Sequence, residues 1–382
     1  MKIAFLTSSL EAGKDGVGDY TRSLAMECLR LGHEGGLLAL HDRRVSAPIT
    51  EEHPPTLRLP ATMPWGERGP RARAFCAALD PQWISLQFGP YAFHDKGFAW
   101  TIAGHLRPLV AGRRVHVMFH ELWLGGYQGA SFKERLIGTV QRACVFHLLR
   151  ILRPSVISTS NAAYVRLLQR GGFEARWLPM FGSIPFAEGA DGQWVHAEIR
   201  RTVPSTRPEE LWVFAIFGSL HSIWPPEPLF RFLQEAGERC GKKIVVLSIG
   251  KLGPGEALWN RLETEYAGRI HLVKLGQRST AEVSAALQAS DFGIATSPWE
   301  LLGKSSSVST LREHGLPVIV NRDDVHFGGV DGAELGDPLL IKMDAQLPML
   351  LPRLQKSPPQ SGVPVSTREF LRLFDPASNP TP

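Results

Sequence analysis

Groups able to bind a charged ligand collect at four places in the chain, each just after an apolar run of strand length. In the first, "KDGVGDYTRSLA" (residues 14–25), Gly13, Gly16 and Gly18 crowd a loop ahead of a helix-like pattern, with Asp19 beside them. Gly16-x-Gly18 supplies two glycines of the dinucleotide pattern, but Thr21 occupies the third place. The preceding run ends near Ser8, about eight residues before Gly16, whereas that motif follows its strand almost directly. Asp42, closing the second apolar run, keeps a nicotinamide-dependent oxidoreductase open as a reading. Two others remain: a loop whose backbone approaches a diphosphate or sugar, and a glycine-rich turn that only eases packing.

The second place is "VMFHELW", where His120 and Glu121 end a run expected to be a central strand. A histidine there can meet a sugar hydroxyl or act as general acid or base. The third is "FGSLHSIW", in which Gly218, Ser219 and His221 can meet phosphate through N–H groups and hydroxyls. In the fourth, "SPWELLGKSSSVSTLREHGLPVIV", Glu300 is followed by Gly303, Lys304 and three serines, Ser305 to Ser307, at the start of a helix. Free amides backed by a lysine and hydroxyls make an anion site. The stretch is not a P-loop, because Pro298 stands where the first glycine of that motif belongs. Capping the helix needs one serine, so three beside a lysine point to a ligand.

These loops must be held by the elements around them. Apolar runs alternate with longer amphipathic stretches, the pattern of parallel sheets with crossover helices. The first half reads as strands "KIAFLTS", "GGLLALHD", "WISLQF", "RRVHVMFH", "SVISTS" and "ARWLPM", with helices from about Tyr20 to Gly32 and over 133–152. After Pro179, "GSIPFAEGADGQW" and "TVPSTRPEE" read as a linker region. Alternation then resumes with "LWVFAIFGS", "KKIVVLSIG", "RIHLVKLG", "DFGIATS" and "LPVIVN", separated by helices such as "PEPLFRFLQEAGERCG" and "TAEVSAALQAS". The Pro- and Ser-rich tail contains one short helical pattern, "STREFLRLF". The expected fold is α/β: two Rossmann-like domains, over 1–185 and 186–359, with parallel sheets facing across a cleft and the tail, 360–382, packing back on the first.

Bulk properties narrow the function classes. At 382 residues the chain suits two domains, and 42 Lys and Arg against 37 Asp and Glu leave it mildly basic. That balance suits anionic small molecules and is too weak to argue for nucleic acid. Cys28, Cys76, Cys144 and Cys240 are far apart with no CxxC pair, as in a reduced, cytoplasmic protein. No apolar run reaches the ~18 residues of a membrane span, and the first residues are too briefly apolar for a signal peptide.

Taken together, the motifs resemble GT-B glycosyltransferases of the large retaining family four. "GVGDYTRSLA" is similar to that family's glycine-rich acceptor-side loop, "FHELW" to its strand-end histidine motif, and "LPMFGSIP" to the passage between its domains. "ASDFGIATSPWELLG" followed by "EHGLPVIV" is similar to its donor-binding block. The resemblance implies an acceptor-binding first domain, a donor-binding second domain, and transfer of a sugar from a nucleoside-diphosphate sugar to a glycan, lipid-linked or small-molecule acceptor, as in polysaccharide biosynthesis. It implies retention of configuration and no cofactor beyond the donor as co-substrate; the absence of any Asp-x-Asp agrees with a site that works without a metal. On this reading His120 lies at the reacting centre and Glu300 on donor hydroxyls, while Lys304 with Ser305, Ser306, Gly303 and Lys251 takes the diphosphate in place of the family's own cationic pair. Gly218 and Ser219 join them on phosphate, Gly276 and Gln277 lie against the base, and Gly16, Gly18 and Asp19 line the acceptor and diphosphate side.

The chain departs from that family at two points. The family's second donor-block glutamate should fall near Val308 or Thr310, and its Arg and Lys pair is absent after "FGSLHSIW", with Lys251 only a loose match. A catalytically degenerate GT-B protein acting as a binding or scaffold module is therefore the alternative. Finally, the helix "FKERLIGTVQRACVFHLLRILRP" sets five basic residues beside an apolar face. It reads most simply as an amphipathic helix packed on the first domain, and otherwise as a peripheral contact with the inner face of a membrane.

Overall fold

The computed structural model describes residues 1–204, 206–328 and 336–375. Two compact units divide it: unit 1 holds Met1–Pro179, Phe327, Gly328 and the segment from Val363 to Asp375, and unit 2 holds the rest.

Unit 1 is built on eight strands: β1 (Lys2–Thr7), β2 (Glu34–Asp42), β3 (Ile49–Glu52), β4 (Pro55–Pro60), β5 (Trp83–Phe88), β6 (Arg114–Phe119), β7 (Val156–Thr159) and β8 (Arg176–Trp177). Their order is β3-β4-β2-β1-β5-β6-β7-β8, all parallel except the β3–β4 pair. The order reverses between β1 and β5, which is where open parallel sheets bind ligands, beyond the carboxyl ends of the strands. Strands such as "WISLQF" are buried at every position, as a sheet covered on both faces requires. The segment after Val363 supplies part of one cover: Phe370 lies 5.8 Å from Phe5, and Phe374 stacks on Trp83 at 4.0 Å.

Unit 2 has six strands: β9 (Leu211–Phe217), β10 (Lys243–Ile249), β11 (Ile270–Gly276), β12 (Phe292–Ala295), β13 (Val318–Val320) and β14 (Leu340–Lys342). All are parallel, in the order β11-β10-β9-β12-β13-β14. The two-residue period of a strand divides its apolar run between two cores. Trp212, Phe214, Ile216, Ile244 and Val246 join one core, with the helix Pro226–Cys240. Val213, Ala215, Val245, Leu247 and Ile249 join the other, with the helices Thr280–Gln288 and Ser306–Glu313. Each large aliphatic side chain so buried contributes about 1.5–3 kcal/mol.

Several elements differ from the sequence reading. The first helix spans Gly16–Arg30, starting four residues before Tyr20, because Asp15 caps it: its carboxylate accepts from Val17 and Gly18 N–H at 2.9 and 3.0 Å. Gly16 and Gly18 therefore lie in the helix rather than in a loop. Within the expected linker, Gln193–Thr202 is a helix whose Val195 and Ile199 join the second core of unit 2. The reading also missed β3 and β4, whose "EEHPPTLRLP" looks like a turn, and the helix Trp65–Leu79, which carries two internal glycines and Pro70.

Candidate functional site

In unit 2 the strands β9, β10 and β11 finish in glycines at positive φ: Gly218 (89°), Gly250 (104°) and Gly276 (71°). Gly218 N–H donates to Ile249 O at 2.9 Å, and Gly250 N–H to Gly276 O at 2.8 Å, so the strand ends are clipped together through backbone. Only glycine adopts this conformation at little cost. A Cβ on Gly218 would also stand 2.7 Å from Ser307 Oγ. Gly218 thus sets the close approach between the turn after β9 and the first turn of the helix Ser306–Glu313.

Where that turn, that helix and the end of β12 converge there is a cavity of about 120 Å³. Its polar wall is Ser219, His221, Thr296, Ser297, Ser305 and Ser307. The volume is room for about four waters, the size of a small anion rather than a whole nucleotide. Ser305 caps the helix, accepting from Val308 N–H at 3.3 Å. The amides of Ser306 and Ser307 belong to the first turn and have no intrahelical acceptor. The positive end of the helix and a ring of hydroxyls therefore face the same small space.

Around it, burial holds the His221 pKa below its ordinary value, and the nearby charges of Arg322 and Lys304 add to the effect. Lys304 ends the turn Trp299–Lys304, which also carries Glu300 and Gly303. Glu300 Oε1 lies 3.3 Å from His326 Nδ1. Lys251 is exposed in the loop after β10, which is tied to the β9 turn by Leu220 N–H donating to Leu252 O at 3.1 Å. Gln277 is exposed after β11, two strands away from β9. Its neighbour Ser279 caps the helix Thr280–Gln288 in a reciprocal pair with Glu282.

The sequence reading missed what braces this region. Arg322, 3% exposed, donates to both carboxylate oxygens of Asp324 at 3.0 and 2.7 Å and to Thr296 O at 3.3 Å. Asn321 accepts from Trp224 Nε1 at 2.6 Å and donates to Pro225 O at 2.5 Å, joining the end of β13 to the β9 turn. The signal was an Asn-Arg pair directly after an apolar run.

In unit 1, Gly18 packs against the exit of β1: a Cβ there would sit 2.5 Å from Ser9 O, whereas one on Gly16 would meet nothing within 4 Å. Asp19 accepts from Gly13 N–H with both oxygens, at 3.0 and 3.2 Å, and burial raises its pKa. It orders the loop ahead of the helix. Beside this helix start, at the carboxyl ends of β1, β2 and β5, lies an open hollow of about 370 Å³. Ser9, Lys14, Asp15, His41, Arg44 and Tyr91 are among its walls.

His120 follows β6 and is 6% exposed. A chain of hydrogen bonds reaches it through the sheet: Ser158 Oγ to His116 Nε2 at 2.7 Å, His116 Nδ1 to Ser85 Oγ at 2.9 Å, Gln87 Nε2 donating to Ser85 Oγ at 2.8 Å, and Gln87 Oε1 to His120 Nε2 at 2.9 Å. Because Gln87 presents its oxygen to the ring, Nε2 of His120 carries the proton and Nδ1 is an acceptor; this tautomer is assigned from the network. Burial pushes His120 down to about 3, and His116 to about 3 with His120 as a second cause. His120 is therefore a neutral hydrogen-bond acceptor at physiological pH.

No known family model and no curated protein matches the chain. Solved structures do. Sucrose-phosphate synthase from Thermosynechococcus elongatus superposes with a TM-score of 0.54 at 15% identity, covering 99% of this chain and 91% of that one. HepE of Anabaena, in complex with UDP-glucose, gives 0.51 at 14% identity over 99% and 91%. UDP-GlcNAc 2-epimerase from Methanocaldococcus jannaschii gives 0.53 at 10% identity over 98% and 99%. The fold is thus the two-unit Rossmann-like fold of GT-B glycosyltransferases, which such epimerases share. Among the described residues, no helix is long and apolar enough to cross a membrane.

Proposed function

We propose that this chain transfers a glycosyl group from a nucleoside-diphosphate sugar bound on unit 2 to an acceptor bound on unit 1. The observation that carries this reading is the anion-sized cavity at the ends of β9 and β12, into which the first turn of the helix Ser306–Glu313 opens. HepE, a protein of the same fold, was solved with UDP-glucose, which supports a nucleotide sugar as donor.

As the bond between the anomeric carbon and the diphosphate oxygen breaks, negative charge grows on the leaving diphosphate. Donors already fixed in place stabilise that charge most. Here they are the Ser306 and Ser307 amides, the Ser219 and Ser307 hydroxyls and the ammonium of Lys304, with exposed Lys251 at the margin. Glu300 accepts from donor hydroxyls, Gly218 and Gly276 leave backbone open beside the ligand, and Gln277 meets the base. On unit 1, His120 Nδ1 accepts from a substrate hydroxyl and does not serve as a cationic acid. Gly16 lies open beside the hollow that takes the acceptor, a glycan, lipid-linked or small-molecule hydroxyl. Configuration is retained, and cationic side chains with helix amides do the work without a metal or cofactor.

Thermal-shift titration with UDP, GDP, ADP and their sugars, with and without chelator, tests donor binding; incubation of the preferred donor with candidate acceptors tests transfer. A raised melting temperature with one nucleotide, unaffected by chelator, and release of that nucleoside diphosphate only with acceptor present are expected. Binding without release under any acceptor would mark a binding module. Recovery of an epimerised sugar nucleotide would replace transfer with epimerase chemistry.

A further inference from the structure

The helix Phe132–Leu152 buries one side, including Gly138, Gln141, Val145 and Leu148, against unit 1. Gln141 anchors it: Nε2 donates to Tyr91 Oη at 2.8 Å and to Lys96 O at 3.0 Å, while Oε1 accepts from Leu124 N–H at 2.9 Å. The outward side carries large apolar side chains among its exposed Lys133, Arg135, Thr139, Arg142 and Arg150. Phe132, Leu136 and Val140, 83%, 58% and 42% exposed, form an apolar ridge at four-residue spacing. One position round the helix, Arg135, Thr139 and Arg142 face an open hollow of about 530 Å³, closed on its far side by Trp123 and Arg170.

This hollow is built by close backbone approaches. A Cβ on Gly138 would stand 1.8 Å from Leu124 O, and one on Gly125 2.8 Å from Arg135 N, so these glycines seat the loop after β6 tightly on the helix. Neither Arg135 nor Arg142 has a side-chain hydrogen bond or ion pair among the described residues, while Arg170 donates to Gly328 O at 3.2 Å. From residue 122 to 177 the sequence has eight Lys and Arg against two Glu, a surplus of six that exceeds the net charge of +5 of the whole chain. Of those two acids, Glu134 is already held by Tyr127 and Ser131.

We propose that this face docks on the surface of a bilayer containing anionic phospholipid, with Phe132, Leu136 and Val140 entering the interface and a lipid phosphate seated between Arg135 and Arg142. Charge complementarity selects this occupant. A second copy docked through the same hollow would set the guanidinium groups of Arg135 and Arg142 against like charges, and an apolar ridge beside unpaired guanidinium groups suits a surface that is anionic outside and hydrocarbon within. The docking surface stands independently of the reaction proposed above.

The test is co-sedimentation of the full chain with vesicles of phosphatidylcholine alone or mixed with phosphatidylglycerol, at low and high salt. Partitioning to the mixed vesicles only, weakened by salt, is expected. The double variant Arg135→Gln, Arg142→Gln should lower the partition coefficient by roughly thirtyfold, about fivefold per cation, and Phe132→Ser by about tenfold. All three side chains are exposed, so the variants should keep the parent melting temperature and nucleotide response; these controls separate a failed surface from a failed active site. Equal binding to both vesicle types, binding to neither, or partitioning unchanged in both variants would overturn the proposal. So would a concentration-dependent dimer that Phe132→Ser abolishes while vesicles go unbound.

Discussion

Within β5 and β6 of unit 1, side chains satisfy one another in a buried chain that runs from His116 and Ser85 through Gln87 to His120, just past the end of β6. In unit 2, β9, β10 and β11 stop in Gly218, Gly250 and Gly276, joined through backbone, and a cavity opens between the ends of β9 and β12. A side-chain network fixes one tautomer and excludes water, which suits a single directional contact with substrate. Glycine-ended strands beside a helix start leave amides and space, which suits a diphosphate whose charge is spread over several oxygens.

The largest test of this contrast is acid. His116 and His120 have folded-state values near 3, against an ordinary 6.5 that the unfolded chain regains. Between those limits the unfolded state takes up protons that the folded state refuses, so stability is intact above about pH 6.5 and falls as pH drops toward 3. At about 1.4 kcal/mol per histidine per pH unit, the loss is on the order of 5 kcal/mol by pH 4.5. Circular-dichroism melting across that range should show it. A flat profile would mean that both rings protonate in place and that the network is looser than its geometry; half the loss would mean that one of them does.

A pair of glycine substitutions should separate the two regions. Gly18→Ala forces a Cβ to within 2.5 Å of the Ser9 carbonyl, and Gly218→Ala combines φ of 89° with a Cβ 2.7 Å from Ser307 Oγ. Each is expected to cost about 2 kcal/mol of stability. Only Gly218→Ala should also abolish the nucleotide-induced thermal shift, since only it intrudes on the cavity. Loss of nucleotide response in both variants would erase the distinction.

Within unit 2, Lys304→Ala should weaken nucleoside-diphosphate binding about tenfold by calorimetry, the weight of one charge-assisted hydrogen bond. Lys251→Ala, at an exposed position, should weaken it only about threefold, and less at high salt. The reverse ranking would move the diphosphate from the helix start toward the β10 loop.

Much of this was readable in order along the chain. Apolar runs of strand length, separated by amphipathic stretches, announced two parallel sheets, and glycine, serine and lysine at the run ends marked the loops. Trp65–Leu79, with Gly66, Gly69 and Pro70 inside it, and Gln193–Thr202, set within the expected linker, were not readable. Their stability comes from the sheet they pack on rather than from their own pattern.

The sequence by itself determined the alternation of strands and helices and the residue types at the strand ends, because both are set by neighbours a few positions apart. Only the tertiary structure decided which glycine is a packing contact and which opens a cavity. It also decided that Arg322 braces Thr296, that His120 is a neutral acceptor held by Gln87, and that Phe132, Leu136 and Val140 face outward. Each of these depends on residues tens of positions apart, brought together by strand register and helix rotation, and no local pattern encodes that pairing.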